Sequence, residues 1–118
     1  MIGSLHRFHG YNSLRYVYSH GKTVRTPQLA VRYAINERRR TFRVAVVVAK
    51  KVSKSAVVRN RIRRRIYAIV RQQTPAITGP FDIVITVFHV EIMTVDAHNL
   101  QQTMRSLFEQ ASIIAKTS

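Results

Sequence analysis

Cysteine is absent from this 118-residue chain, which excludes a disulfide framework and any thiolate metal site. Acid is nearly absent too: five Asp and Glu stand against twenty Lys and Arg, a formal net charge of +15. The five carboxylates, Glu37, Asp82, Glu91, Asp96 and Glu109, are scattered along the sequence. No close pair is available to bind Mg²⁺ or to divide acid and base duties. The histidines, His6, His9, His20, His89 and His98, include no helical i, i+4 ligand pair. No catalytic residue is therefore expected on this chain, and no metal bound by it. Apolar runs fall short of the roughly 18–20 residues of a membrane span. The opening MIGSLHRFHG lacks the long apolar core of a secretory signal, so a soluble, cytoplasmic protein is expected. Repeats, linkers and low-complexity tracts are missing as well, which leaves one domain over residues 1–118, with residues 1–11 as a partly ordered arm. His6 and His9 in that arm could contact phosphate.

What is present is positive charge, concentrated. No acid occurs between Glu37 and Asp82. Self-repulsion on this scale opposes folding unless a polyanion neutralises it, so nucleic acid is the leading partner. Residues 50–71, KKVSKSAVVRNRIRRRIYAIVR, hold nine of the basic side chains. Their apolar residues nevertheless keep helical spacing: Val58, Ile62, Ile66, Ile69 and Val70 gather on one arc at about 100° per residue. Asn60, Arg64, Tyr67 and Arg71 are expected opposite that arc. Ser55 is the expected N-cap. Like charges at i, i+4, such as Arg61 and Arg65, disfavour an isolated helix by about 0.2–0.5 kcal/mol per pair. An all-basic face without acids to offset it is built for an external polyanion.

Around this helix the sequence reads as a platform. Asn12 or Ser13 can cap a helix running to about His20, closed by Gly21 at the C′ position. Leu14, Val17 and Tyr18 share a face of it, with Arg15 and Tyr16 off that face. Tyr18 suits either the core or a ring presented to a base. Residues 22–25 are β-compatible, and residues 28–36 alternate, with Leu29, Val31, Tyr33 and Ile35 on one face and Ala30, Arg32, Ala34 and Asn36 on the other. Residues 37–41, with three consecutive arginines, read as a hairpin loop. The β-branched run 42–49 (FRVAVVVA) reads as a central strand covered on both faces. Residues 72–80 form a loop, and residues 81–89 another strand. Thr94 or Asp96 caps a last helix with the apolar stripe Leu100, Met104, Leu107, Phe108, Ala111 and Ile114. The order α-β-β-β-α-β-α makes a single-domain α+β fold with a small sheet.

Lys50, Lys51, Lys54, Arg59, Arg61, Arg63, Arg64, Arg65 and Arg71 can form one stripe from the strand end along the basic helix. Guanidinium forks match phosphate oxygens bidentately. Each phosphate neutralised should lower log K per log salt by about 0.7–0.9. A single helix beside an open sheet lacks the helix-turn-helix spacing for major-groove reading. Sheets with aromatic and basic groups suit unstacked RNA instead. A structural RNA-binding protein of ribosomal type fits these observations too. A small protein nuclease would need an acidic or histidine cluster that is not seen.

The run AVVRNRIRRR at residues 56–65 resembles the signature RNR helix of the bacterial ribonuclease P protein component. Lys50-Lys51-Val52 just upstream, Tyr18-Ser19-His20-Gly21 and Phe81-Asp82-Ile83-Val84-Ile85 resemble the family's flanking elements, and the likeness spans roughly residues 7–115. The resemblance implies an α+β sandwich whose strand–helix–strand connection crosses over left-handed. It also implies a protein that assists removal of the 5′ leader from precursor tRNA, while a catalytic RNA carries the reaction and its Mg²⁺, with one protein per RNA. By that likeness Arg59, Asn60, Arg61, Arg63, Arg64 and Arg65 lie against the catalytic RNA. The leader cleft would take Tyr18, Leu14 in place of a second aromatic, and either Tyr33 or Arg32 from the sheet. With less ring area there, leader contact is expected to be more electrostatic.

Overall fold

The computed structural model describes residues 11–115, with side chains from Leu14 onward. The arm expected over residues 1–11 lies outside the described residues up to residue 10, and with it His6 and His9. Helix α1 (Tyr11–His20) leads into strands β1 (Lys22–Arg25), β2 (Leu29–Ile35) and β3 (Arg43–Val48). Helix α2 (Ala56–Gln73) then returns the chain to β4 (Phe81–Val87), and a 3₁₀ turn at Val90–Met93 precedes helix α3 (Ala97–Gln110). The strands lie in the order β1-β2-β4-β3. β2 pairs antiparallel with both β1 and β4. β3 and β4 are parallel, which requires a crossover, and α2 supplies it.

Two expectations about β3 are corrected by this order. Strand β3 is not central but an edge strand, paired among the described residues with β4 alone. Residues 37–41 do not close a hairpin, because β4 lies between β2 and β3. The sequence misled for a physical reason. Val44, Ala45, Val46 and Val48 are buried, but helices cover the two faces, and face burial says nothing about neighbours in the plane. Side-chain chemistry closes part of the open edge: the Val46 N–H donates to the Tyr67 hydroxyl at 3.2 Å. Tyr67 is thus buried on α2, not opposite its apolar arc as the spacing suggested. It extends that arc sideways to reach the strand.

The sheet divides the interior unequally. On one face Leu29, Val31, Val44, Val46, Ile83, Ile85 and Val87 pack against Ile62, Ile66, Ile69 and Val70 of α2 and Leu100, Met104, Leu107 and Phe108 of α3. On the other, α1 sets Val17 against Ala34, Ala45 and Val84, with Leu14 and Val47 half-buried beside them. Small residues under α1 let it sit close. Gly21 belongs to the same close approach: its N–H donates to Val17 O at 2.7 Å, and a Cβ there would run into the carbonyls of Val17 and Tyr33. Space, not a left-handed φ, is what requires glycine at this junction. At the sheet end below α1, Asp82 is only 2 % exposed. Arg43 holds it bidentately, Nε and Nη2 each at 2.9 Å, and Asn36 Nδ2 adds a bond at 3.0 Å. Asp96, not Thr94, caps α3, accepting from Asn99 N at 3.1 Å.

Candidate nucleic-acid interface

Helix α2 starts where the sequence places it. Ser55 Oγ accepts from Val58 N at 3.3 Å, and the Ser55 N–H is in turn held by Ser53 Oγ at 3.2 Å. This first turn is pinned again when Arg59 Nη1 donates to Ser53 O at 2.8 Å. Ile62, Ile66, Tyr67, Ile69 and Val70 bury one side of the helix, so the outward residues cannot rotate away. Val58, assigned to the arc, is only half-buried, and Val57 is exposed.

The outward side carries the charge. Arg61 and Arg64 are exposed, and among the described residues neither makes an ion pair or side-chain hydrogen bond. Lys50, Lys51 and Lys54 are exposed on the loop before α2, and Arg71 is exposed near its other end. Asn60 is exposed as well and accepts from Arg63 Nη1 at 2.7 Å, which orients the Arg63 fork without cancelling its charge. Arg65 differs from its neighbours. Its guanidinium turns inward onto the carbonyls of Ile92 (3.0 Å), Met93 (2.8 Å) and Val95. It ties α2 to the segment that leads into α3, so its hydrogen-bonding capacity is largely used within the protein.

The residues proposed for a cleft separate. Leu14 is half-buried and Tyr18 is 45 % exposed, so of the two readings of Tyr18 the core one does not hold. Arg32 lies on the face that α1 covers, donating from Nε to Val17 O at 3.1 Å, from Nη1 to Thr23 Oγ1 at 2.7 Å and from Nη2 to Tyr18 O. Tyr33 packs against the opposite core. The sheet alternation therefore brings Arg32 together with Leu14 and Tyr18, and leaves Tyr33 apart. Arg32 neutralises the negative end of α1 and fixes the helix over the sheet. Arg15, Lys22, Arg38 and Arg40 are exposed cations outside the stripe on α2. For Arg38 and Arg40 the signal is the run of three arginines in the β2–β3 loop.

No group of three or more His, Cys, Asp or Glu able to hold a metal ion occurs among the described residues. Asp82, the most buried carboxylate, is already committed to Arg43 and Asn36. Among the described residues, the donor set does not fit a protein-held Mg²⁺ centre.

The ribonuclease P family profile matches residues 4–112. The chain belongs to the ribonuclease P protein family. The ribonuclease P protein component of Chloroflexus aurantiacus is 36% identical over 100 residues, covering 85% of this chain and 73% of that one. That of Synechocystis sp. is 36% identical over 98 residues, with 83% and 78% covered. Two solved structures share the fold. The Staphylococcus aureus RNase P protein superposes with a TM-score of 0.81 at 22% identity, over 92% of this chain and 97% of that one. The Thermotoga maritima RNase P protein gives 0.74 at 23%, over 82% and 89%. Membership makes this chain a protein subunit of ribonuclease P, an endoribonuclease of tRNA processing. It also sets aside the ribosomal-type reading.

Proposed function

We propose that this chain grips the catalytic RNA of ribonuclease P through α2 and the 5′ leader of precursor tRNA beside α1, one copy per RNA, in the cytoplasm. Hydrolysis and its Mg²⁺ belong to the RNA. The observation that carries this reading is that Arg61 and Arg64 are exposed, with no ion pair among the described residues, on a helix whose other side is locked in the core. The fixed helix keeps the row of arginines in register, and each guanidinium gains bidentate bonds when a phosphate arrives. Lys50, Lys51 and Lys54 add point charges at the α2 N-terminus, where the helix dipole already favours phosphate. The chain's part is to bind, orient and neutralise. Close packing of RNA strands around a metal-rich centre is opposed by phosphate repulsion, which these cations reduce.

Beside α1, the exposed Tyr18 ring and the half-buried Leu14, Val47 and Thr86 offer a shallow, partly apolar track for unstacked bases. The decisive experiment mixes the purified chain with its catalytic RNA and precursor tRNA. Leader removal should need less Mg²⁺ with the protein present, and none should occur with protein alone. Robust cleavage by the protein without RNA would falsify this assignment of roles. Tyr18→Ala should weaken binding of precursor but not of mature tRNA. Equal weakening of both would remove the leader track from the proposal.

A further inference from the structure

Helix α1 presents two flanks, one on each side of the buried Val17. Leu14 and Tyr18 form one. On the other, Tyr16 and His20 stack, ring centroids 4.5 Å apart and planes inclined by 21°. His20 Nδ1 lies 3.2 Å from Tyr16 O, which holds the imidazole in that orientation. Tyr16 is 45 % exposed and Ile35, at the nearby end of β2, is 58 % exposed. Neither ring is needed to seal the core. Between them lies a recess of about 180 Å³ lined by Tyr16, His20, Lys22, Tyr33, Ala34 and Ile35. It contains no carboxylate, and its one formal charge is the Lys22 ammonium. The β2–β3 loop that leaves Ile35 carries exposed Arg38 and Arg40.

We propose that this recess is a stacking site for one base of a single-stranded RNA segment, with the flanking phosphates met by Lys22 and the β2–β3 loop arginines. The reasoning is complementarity. A parallel ring pair already fixed by a backbone hydrogen bond keeps an outward π-face and needs little ordering when a base arrives. Ile35 at the β2 end of the recess adds apolar surface beside the base, and the cations around the rim suit only an anionic ligand. The site is separate from the Leu14–Tyr18 flank and from α2, so it would add a contact rather than share one. The inference rests on the RNA-binding function proposed above. The same chemistry could be supplied by the precursor leader or by an unpaired stretch of the catalytic RNA.

The test uses the full chain. Binding of catalytic RNA, of precursor tRNA with short and long leaders, and of oligouridylate is measured for wild type, Tyr16→Ala, His20→Ala and Tyr16→Phe. Losing one stacked base should weaken binding by about five- to hundredfold in Tyr16→Ala, while Tyr16→Phe stays near wild type. A loss that appears only with the long leader assigns the base to the precursor. A loss with catalytic RNA alone assigns it to that RNA. In the wild-type chain, the ring protons of Tyr16 and His20 should move upfield at saturating RNA, a readout independent of how the variants fold. Unchanged ring signals, or Tyr16→Ala binding every RNA as tightly as wild type, overturns the site. Failure of the wild type to bind any of these RNAs would overturn the RNA-binding reading itself.

Discussion

Helices α2 and α3 face the same side of the sheet and bury similar apolar stripes, yet their outer surfaces are opposites. Outward from α2 stand Arg61, Arg64 and Arg71, unpaired among the described residues. Outward from α3 stand His98, Asn99, Gln102, Ser106 and Gln110, and its single arginine, Arg105, is matched by Glu109 at 3.1 Å. The sequence is divided in the same way. Every Lys and Arg between residues 11 and 115 except Arg105 precedes residue 72, while four of the five acids follow residue 81. The buried halves explain stability and are interchangeable in kind. The exposed halves differ in electrostatic balance, and the proposal above rests on the surface left unbalanced.

The comparison breaks if binding responds only to total charge. Arg61→Ala with Arg64→Ala removes two positive charges from α2. Gln102→Glu with Ser106→Glu changes the net charge equally at exposed positions of α3. Loss of two phosphate contacts should lower the salt slope by about 1.4–1.8 and weaken catalytic-RNA binding by orders of magnitude. The α3 pair should change it little, since charges more than about 10 Å from the interface are screened at 0.1 M salt. Equal losses in a filter-binding salt titration would show that the ridge on α2 has no special place.

The next effect falls on the one acid withdrawn from the surface. Asp82→Ala leaves the Arg43 guanidinium at the sheet end without its carboxylate, and breaking a buried pair of this kind costs about 3 kcal/mol. Denaturant unfolding should report that loss. The α2 variants at Arg61 and Arg64 should remain within about 0.5 kcal/mol of wild type, as surface substitutions generally do.

Arg65 tests the boundary between the two helices. It belongs to the basic run by sequence and to the α3 side by contact, through the carbonyls of Ile92, Met93 and Val95. Arg65→Ala should cost about 1–3 kcal/mol of stability, because carbonyls lose a charged donor. Arg64→Ala, one residue away, should leave stability unchanged and reduce RNA affinity. The reverse outcome in paired melting and binding experiments would mean that Arg65 reaches outward in solution.

These residues also show how far the sequence could be read. Helical spacing disclosed the buried stripe of α2, and the Ser55 cap followed from a local hydroxyl and a free N–H. Alternation in β2 sorted Arg32 from Tyr33 correctly, because a period of two is fixed by the strand itself. What the sequence did not disclose was non-local. Strand neighbours are chosen by the whole sheet, so β3 looked central when it is an edge. Arg65 and Arg64 are chemically identical in the sequence, and only the position of the 3₁₀ turn at Val90–Met93 separates a tether from a free cation. Tyr67 was assigned outward for the same reason: its angle on the helix is marginal, and the edge strand decides.

Tyr67 supplies the smallest and most specific effect. Its hydroxyl is the acceptor for the Val46 N–H on the open edge of β3, at 3.2 Å. Tyr67→Phe keeps the ring in the core and removes only that oxygen, so the change should cost about 1 kcal/mol with no change in RNA affinity. Hydrogen exchange at the Val46 amide should accelerate more than at Val84 or Ile85 in the central strand β4. Uniform acceleration across the sheet would mean that the edge is not locally held by this bond. A loss of RNA binding without a loss of stability would place Tyr67 with the exposed half of α2, where its spacing alone had put it.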